Sequence, residues 1–335
     1  MSTVTGTEVG ADAESVWGDG GDELPPGLGP YQLAWRRLKR NKVALAFGCL
    51  FLAVVIVCLL APVYANHVAH SGPNVQHADT ALNQFGLPIG PTWHAKFFLG
   101  ADSTGRDVAV RLLYGGRNSL QIGAEATIIT IILATLLGIL AGYFRGPADG
   151  LISRAFELIW AYPVYLLGIA LGVVLAISGI NIGPIHLSGN SLQIPAIIIG
   201  IIYIPYVGKA VRGQVLGLRE REFVDAARQQ GLGHFRIMYS EILPNVASTI
   251  IVFIPLIMAN AILTEAGLSF LGAGVRPPNP SWGTMIGEGI GLLPAAVHTM
   301  LVPGIMLVLC VLGINVFGDG VRDALDPRAK IRIEH

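Results

Sequence analysis

The chain has 335 residues, of which 53% are apolar and only 13% are charged, about half the charged share of an ordinary soluble domain. So few charges cannot cover a water-facing surface, and a mean hydropathy of +0.60 points to a chain solvated largely by lipid. Lys plus Arg and Asp plus Glu number 22 each, which leaves no basic excess to attract nucleic acid.

Residues 1–30 are rich in Gly, Pro and acidic residues and hold no Lys or Arg. Such a segment cannot bury enough apolar surface to offset its ordering entropy, so a disordered acidic cytoplasmic tail is expected. A signal peptide would need a basic start and an apolar run, and neither is present. Residues 31–42, YQLAWRRLKRNK, set basic side chains beside Trp35 and Leu38, the composition of a short helix lying at a membrane surface.

Six apolar stretches follow: Val43–Tyr64, Ile122–Phe144, Leu158–Ile180, Ile194–Val211, Asn245–Ala266 and His298–Phe317. Each is near the ~20 residues that cross a bilayer at about 1.5 Å per residue. Pro163, Pro195 and Pro205 interrupt the third and fourth, which leaves a shorter or re-entrant helix open there. With the first residue inside, 17 of the 22 Lys and Arg fall on the inner segments. The positive-inside bias therefore places both ends in the cytoplasm, as six crossings require. The organisation expected is a first span over 43–64, an extracellular segment over 65–121, a five-span core over 122–317 and a cytoplasmic tail over 318–335. The outer segment 267–297 is apolar and glycine-rich, and a re-entrant or surface-lying piece is expected there. Asp319, Arg322 and Asp323 are expected in a separate interfacial helix. Cys49, Cys58 and Cys310 all lie in apolar runs and read as small buried hydrophobes.

The inner segment 212–243 carries the most information. Residues Arg219–Gln230 suit a short helix, with Arg221/Asp225 and Asp225/Arg228 spaced for ion pairs. Phe223, Ala226, Ala227 and Gln230 share one face. Gly231 supplies the left-handed position that ends the helix, and a second helix, Phe235–Leu243, leads through Pro244 into the fifth span. This segment resembles the EAA loop of ABC-importer permeases, whose pattern is E-A-A, three residues, G, nine residues, I-x-L-P. Asp225, Ala226 and Ala227 stand in the EAA positions, Gly231 follows at the right spacing, and Leu243 and Pro244 close the motif. Asp replaces Glu at the first position, and Glu241 falls where the pattern has Ile.

Three further stretches match in order: LGADSTGRDVAVRLLYGGRNSL (99–120), TEAGLSFLGAGVRPPNPSWGTMIGEG (264–289) and INVFGDGVRDALDPR (314–328). Together with the loop they make residues 31–330 similar to the C-type permease subunit of dipeptide/oligopeptide ABC importers. The resemblance implies an all-α integral membrane protein with six transmembrane helices, the type I ABC-importer permease fold, in the cell membrane. It implies a homologous second permease, two ABC ATPase subunits and an extracellular substrate-binding protein as partners. It also implies that the loop, including Glu222, Asp225, Ala226, Ala227, Gly231, Leu243 and Pro244, couples the channel to the ATPases.

The chain has no GxxxxGK[ST] phosphate loop, HExxH or GxSxG motif, so no enzymatic activity and no cofactor are expected of it; ATP and Mg are expected in the partner ATPases. Glu125 and Glu265 lie in or near spans, where a carboxylate is costly, and are candidates for the pathway or gate. The bland alternatives are solvation at a helix start for Glu125 and hydrogen bonding to the glycine-rich segment for Glu265. An ion-coupled secondary transporter using these two carboxylates is the alternative function. Arg106 and Asp107 are candidates for contact with the binding protein; the competing reading has them cap a helix and pair locally. The outer histidines His67, His70, His77 and His94 lack an accompanying ligand set, so no metal site is expected.

Overall fold

The computed structural model describes residues 30–325. The acidic-tail expectation, apart from Pro30, and the last ten residues lie outside the described range. Helix α1 (Pro30–Arg40) turns Ala34 and Leu38 inward against Phe317, Val321 and Ala324. Its Trp35 is exposed, with Lys39 Nζ 5.1 Å from the ring centroid. Asn41 then caps α2 (Lys42–Leu59), its side chain accepting from the Ala44 amide at 3.0 Å. A short α3 (Ala61–Tyr64) and one π turn (Ala65–Ala69) finish the first crossing. Residues 70–107 hold a single helical turn, α4 (Ala78–Ala81).

Helix α5 (Val108–Phe144) runs for 37 residues, roughly 55 Å at the α-helical rise. It starts at Val108, not Ile122, so the expected extracellular segment 65–121 contains its first turns. The start is fixed by Asp107, whose carboxylate accepts from the amides of Ala109 (2.8 Å) and Val110 (3.2 Å), the usual satisfaction of orphan N–H groups.

The third crossing also differs from expectation. It consists of α6 (Gly146–Trp160) and α7 (Val164–Ser178), bent by 91° around Pro163. Proline cannot donate to the preceding turn and disfavours helical geometry in the residue before it. Pro205 is tolerated inside α8 (Gln193–Leu218). Between α7 and α8 lies a small antiparallel hairpin, β1 (Ile180–Ile182) with β2 (Ile185–Leu187), in an otherwise helical chain.

The inner loop forms α9 (Glu222–Gln229) and α10 (His234–Ile237), then a π turn (Met238–Ile242) that runs into α11 (Leu243–Phe270). The outer segment after it holds α12 (Trp282–Ile290), opened by a reciprocal capping box between Ser281 and Thr284. Trp282 is fully buried and donates its indole N–H to the Leu112 carbonyl at 3.1 Å, so this piece is embedded among the helices. The last helix, α13 (His298–Leu325), absorbs Asp319, Arg322 and Asp323, so they do not form a separate interfacial helix. Among the described residues five helices are long and apolar enough to cross a membrane, and six crossings result if the bent α6–α7 pair counts as one.

Packing of α5 on α8 organises the bundle. Ala126, Thr130, Ala134, Gly138 and Gly142 recur every fourth residue on α5 and are all buried. Helices in lipid gain little from apolar burial, so they associate where small side chains let backbones approach. A Cβ on Gly138 would lie 2.8 Å from the Gly208 carbonyl oxygen, and Thr130 donates its hydroxyl to the Gly200 carbonyl at 2.8 Å.

Candidate functional site

The end of the bundle that carries α9 and α10 presents the loop as a docked helix with one free face. Val224 is fully buried and Ala227 nearly so, in a cluster with Tyr143, Val215, Ile237, Met238, Ile242 and Val246. Glu222, Asp225 and Ala226 are exposed. Val224 and Ala227 form the inward face; of the residues expected to share one face, Phe223, Ala226 and Gln230 are exposed and Ala227 is buried, so the two alanines point to opposite environments. Asp225 pairs with Arg228 at 3.0 Å rather than with Arg221. Gly231 has φ +78° and open space around it. The Leu232 amide reaches back to the Ala227 carbonyl at 3.1 Å, closing the helix end.

Leu243 and Pro244 occupy the first turn of α11, where proline lacks only an amide that has no helical partner anyway. Glu241 is half-exposed while its neighbour Ile242 is buried. The apolar position of the motif is thus filled one residue along. Phe235 and Tyr239, four residues apart, are each about three-quarters exposed.

Sequence reasoning missed the hub beneath this loop. Tyr143, at the end of α5, is buried, and its hydroxyl lies 2.9 Å from His234 Nδ1. The Arg219 guanidinium donates to the Tyr143 carbonyl at 2.5 Å, and Arg228 Cζ lies 5.7 Å from the Tyr143 ring centroid. An aromatic followed by aromatic and basic residues at an apolar helix end (YFR, 143–145) was the available signal.

At the opposite end of the bundle, before the start of α5, Arg106 and Asp107 are both buried. Asp107 caps α5 and also accepts from the Phe97 amide at 2.7 Å; with no exposed surface it cannot reach a docking protein. Arg106 pairs with Asp102 (2.6 Å) and Glu288 (2.8 Å), and Arg111 with Asp102 (3.3 Å) and Glu288 (3.1 Å). Two guanidiniums and two carboxylates thus form a neutral cluster tying the 71–107 segment and α5 to α12. Capping and local pairing describe this pair, rather than contact with a binding protein.

Glu125 stands near the middle of α5, not at its start, half-buried, and accepts from the Gln121 amide at 2.8 Å. Glu265 is fully buried in α11 and accepts the Ser269 hydroxyl at 2.6 Å; Ser269 in turn accepts the Val275 amide at 2.9 Å. Its Oε2 has no hydrogen-bond partner. Glu265 thus bears on the glycine-rich segment that follows α11. His77 bonds Ser71 Oγ at 2.9 Å, and His67 the Val63 carbonyl at 3.2 Å. Among the described residues no group of three His, Cys, Asp or Glu side chains converges on a metal-sized site. An open cleft of about 470 Å³ between α8, α11 and α13 is lined by Tyr206, Ser248, Thr249, Phe253, Leu256 and Arg322.

Comparison with known proteins gives a consistent set of matches. Residues 134–331 match the family described as binding-protein-dependent transport system inner membrane component. Residues 29–84 match the N-terminal TM domain of oligopeptide transport permease C. The dipeptide transport system permease protein DppC of Alkalihalophilus pseudofirmus is 38% identical over 90% of this chain and 91% of its own length. The di/tripeptide transport system permease protein DppC of Pseudomonas aeruginosa is 36% identical over 90% and 93%. The glutathione transport system permease protein GsiD of Pectobacterium atrosepticum is 34% identical over 90% and 92%. In fold, the chain is similar to one from an inward-facing crystal form of the MetNI methionine ABC transporter, with a TM-score of 0.52 and 17% identity, covering 64% of this chain and 96% of that one.

Proposed function

Because the chain belongs to the family of binding-protein-dependent transport inner membrane components, we propose that it forms half of the translocation channel of an ATP-driven importer of di- or oligopeptides or related small solutes. Its relatives of similar length are named as dipeptide, di/tripeptide and glutathione permeases, which supports that substrate class. A homologous second permease completes the channel. An extracellular binding protein delivers the solute, and two ABC ATPase subunits hold ATP and Mg. The chain itself binds neither and does no covalent chemistry. Both of its ends face the cytoplasm, on the strength of the Lys and Arg distribution.

The observation that carries the mechanism is the two-sided character of α9. Val224 and Ala227 fix it to the bundle, while Glu222, Asp225 and Ala226 remain available to another protein. A helix whose inner face is fixed moves the bundle when its outer face is gripped. Switching a gate from 1:99 to 99:1 takes about 5.5 kcal/mol of differential binding. ATPase subunits supply it by holding α9 differently in their open and closed forms.

An ion-coupled transporter built on Glu125 and Glu265 finds no support: the family and the named relatives belong to binding-protein-dependent systems. The deciding experiment loads proteoliposomes containing the full assembly with ATP and follows dialanine uptake. Uptake should stop with a non-hydrolysable ATP analogue and persist when proton and sodium gradients are collapsed. Gradient-dependent, ATP-independent uptake would refute the assignment.

A further inference from the structure

We propose that Tyr143 is the positioning residue through which α9 and α10 move α5, an inference that rests on the reading of α9 as the ATPase-docking helix. Groups from three separate elements converge on this one residue. His234 of α10 bonds its hydroxyl at 2.9 Å, and Arg219, just past α8, bonds its carbonyl. Arg228 of α9 lies 5.7 Å from its ring centroid. Its ring also meets Phe144 and His234 edge-on, with centroids 5.2 and 5.7 Å apart.

Tyr143 is the penultimate residue of α5, so a force applied there enters a continuous helix. α9 has only one short buried face, Val224 and Ala227, and apolar contacts are non-directional. Such contacts hold the helix against the bundle without setting the direction in which it drives its neighbours. Hydrogen bonds have preferred directions, and the phenol–imidazole bond from α10 and the guanidinium–carbonyl bond from Arg219, just before α9, therefore direct movement of the loop into displacement of α5. At the far end α5 is fixed by the Asp107 cap and by Arg111 in the Asp102–Glu288 cluster. A push at Tyr143 is thus delivered to the outer segment and α12.

The test uses the full chain co-assembled with its second permease and ATPase subunits in proteoliposomes, with the extracellular binding protein supplied outside. Dialanine uptake and ATP hydrolysis are read on the same sample. A spin-label distance is recorded between Leu136→Cys on α5 and Gln229→Cys on α9, with Cys49, Cys58 and Cys310 replaced by alanine. Tyr143→Phe and His234→Ala should each lower uptake per ATP roughly five-fold, the size of one lost hydrogen bond. The double variant should fall no further, because both remove the same bond. His234→Asn, whose amide can reach the phenol, should restore much of the ratio, and the α5–α9 distance should broaden only in the uncoupled variants. An unchanged ratio overturns the proposal, as does a lowered ratio with additive losses and an unaltered distance. Failure of the docking reading has a different signature, since Asp225→Lys would then keep its ATPase while Tyr143→Phe still broadened the distance; that result overturns both.

Discussion

Arg106 and Glu288 lie 182 positions apart in the chain, and their side chains meet at 2.8 Å. Through this contact, and through Arg111 at 3.1 Å from the same carboxylate, the outer segment and the first turn of α5 are held to α12. The two guanidiniums are almost wholly shielded from water, so each depends on its carboxylates.

Removing Glu288 should therefore be costly. Glu288→Ala leaves Arg106 and Arg111 sharing Asp102 alone and should destabilise the fold by about 3–5 kcal/mol, as breaking a buried ion pair does. Thermal unfolding in detergent measures this. A melting temperature equal to that of the parent chain would show that the cluster holds nothing together.

The α5–α8 seam is sensitive to volume. Gly138→Leu places its first side-chain carbon about where the Gly208 carbonyl and Val211 already sit and should cost about 1–3 kcal/mol through overpacking. Gly213→Leu, on α8 with open space around it, should be tolerated. Protease resistance of the solubilised chain compares the two, and equal resistance would contradict the packing described.

Gly231 separates backbone strain from crowding, because nothing lies within 4 Å of where a Cβ would go. Gly231→Val should cost about 1–2 kcal/mol of left-handed strain and lower dialanine uptake while leaving membrane insertion intact. Gly231→Asn, a residue that accepts this conformation, should keep most of the uptake. Equal uptake by the two variants would remove the turn from the mechanism.

Glu265 offers a test of its role as a fastening to the outer segment. Glu265→Gln retains a carbonyl oxygen to accept the Ser269 hydroxyl and should be milder than Glu265→Ala. The alanine variant leaves that donor unpaired at about 1–3 kcal/mol. Unfolding in detergent ranks the two, and the reverse order would contradict the hydrogen-bonding account.

The architecture was legible in hydropathy because lipid imposes long apolar helices, and the spans from α2, α8, α11 and α13 follow from that alone. Less legible was the start of α5. Arg111, Arg117 and Asn118 interrupt the apolar run before Ile122, whereas the helix starts at the Asp107 cap, a reading the sequence offered for Asp107 without tying it to this span. Pro163 was visible as an interruption, but whether neighbours satisfy the freed carbonyls decides between a kink and a 91° break. On α9 the sequence reading grouped Phe223 with Ala226, Ala227 and Gln230 and passed over Val224. The choice fell to Val224 because Val215, Ile237 and Ile242 meet it, a tertiary fact absent from an eight-residue pattern. For Arg106 and Asp107 the sequence offered capping and local pairing beside a contact with a binding protein, but not the link to Glu288, which lies far along the chain.

The most direct measurement compares two neighbouring alanines on α9 and asks which one governs ATPase binding. Ala226→Arg, on the exposed face, should leave the melting temperature of the chain unchanged yet abolish copurification of the ATPase subunits and dialanine uptake. Ala227→Arg, on the buried face, should lower the melting temperature as well. Normal ATPase binding and uptake by the Ala226→Arg variant would contradict the coupling role of this helix.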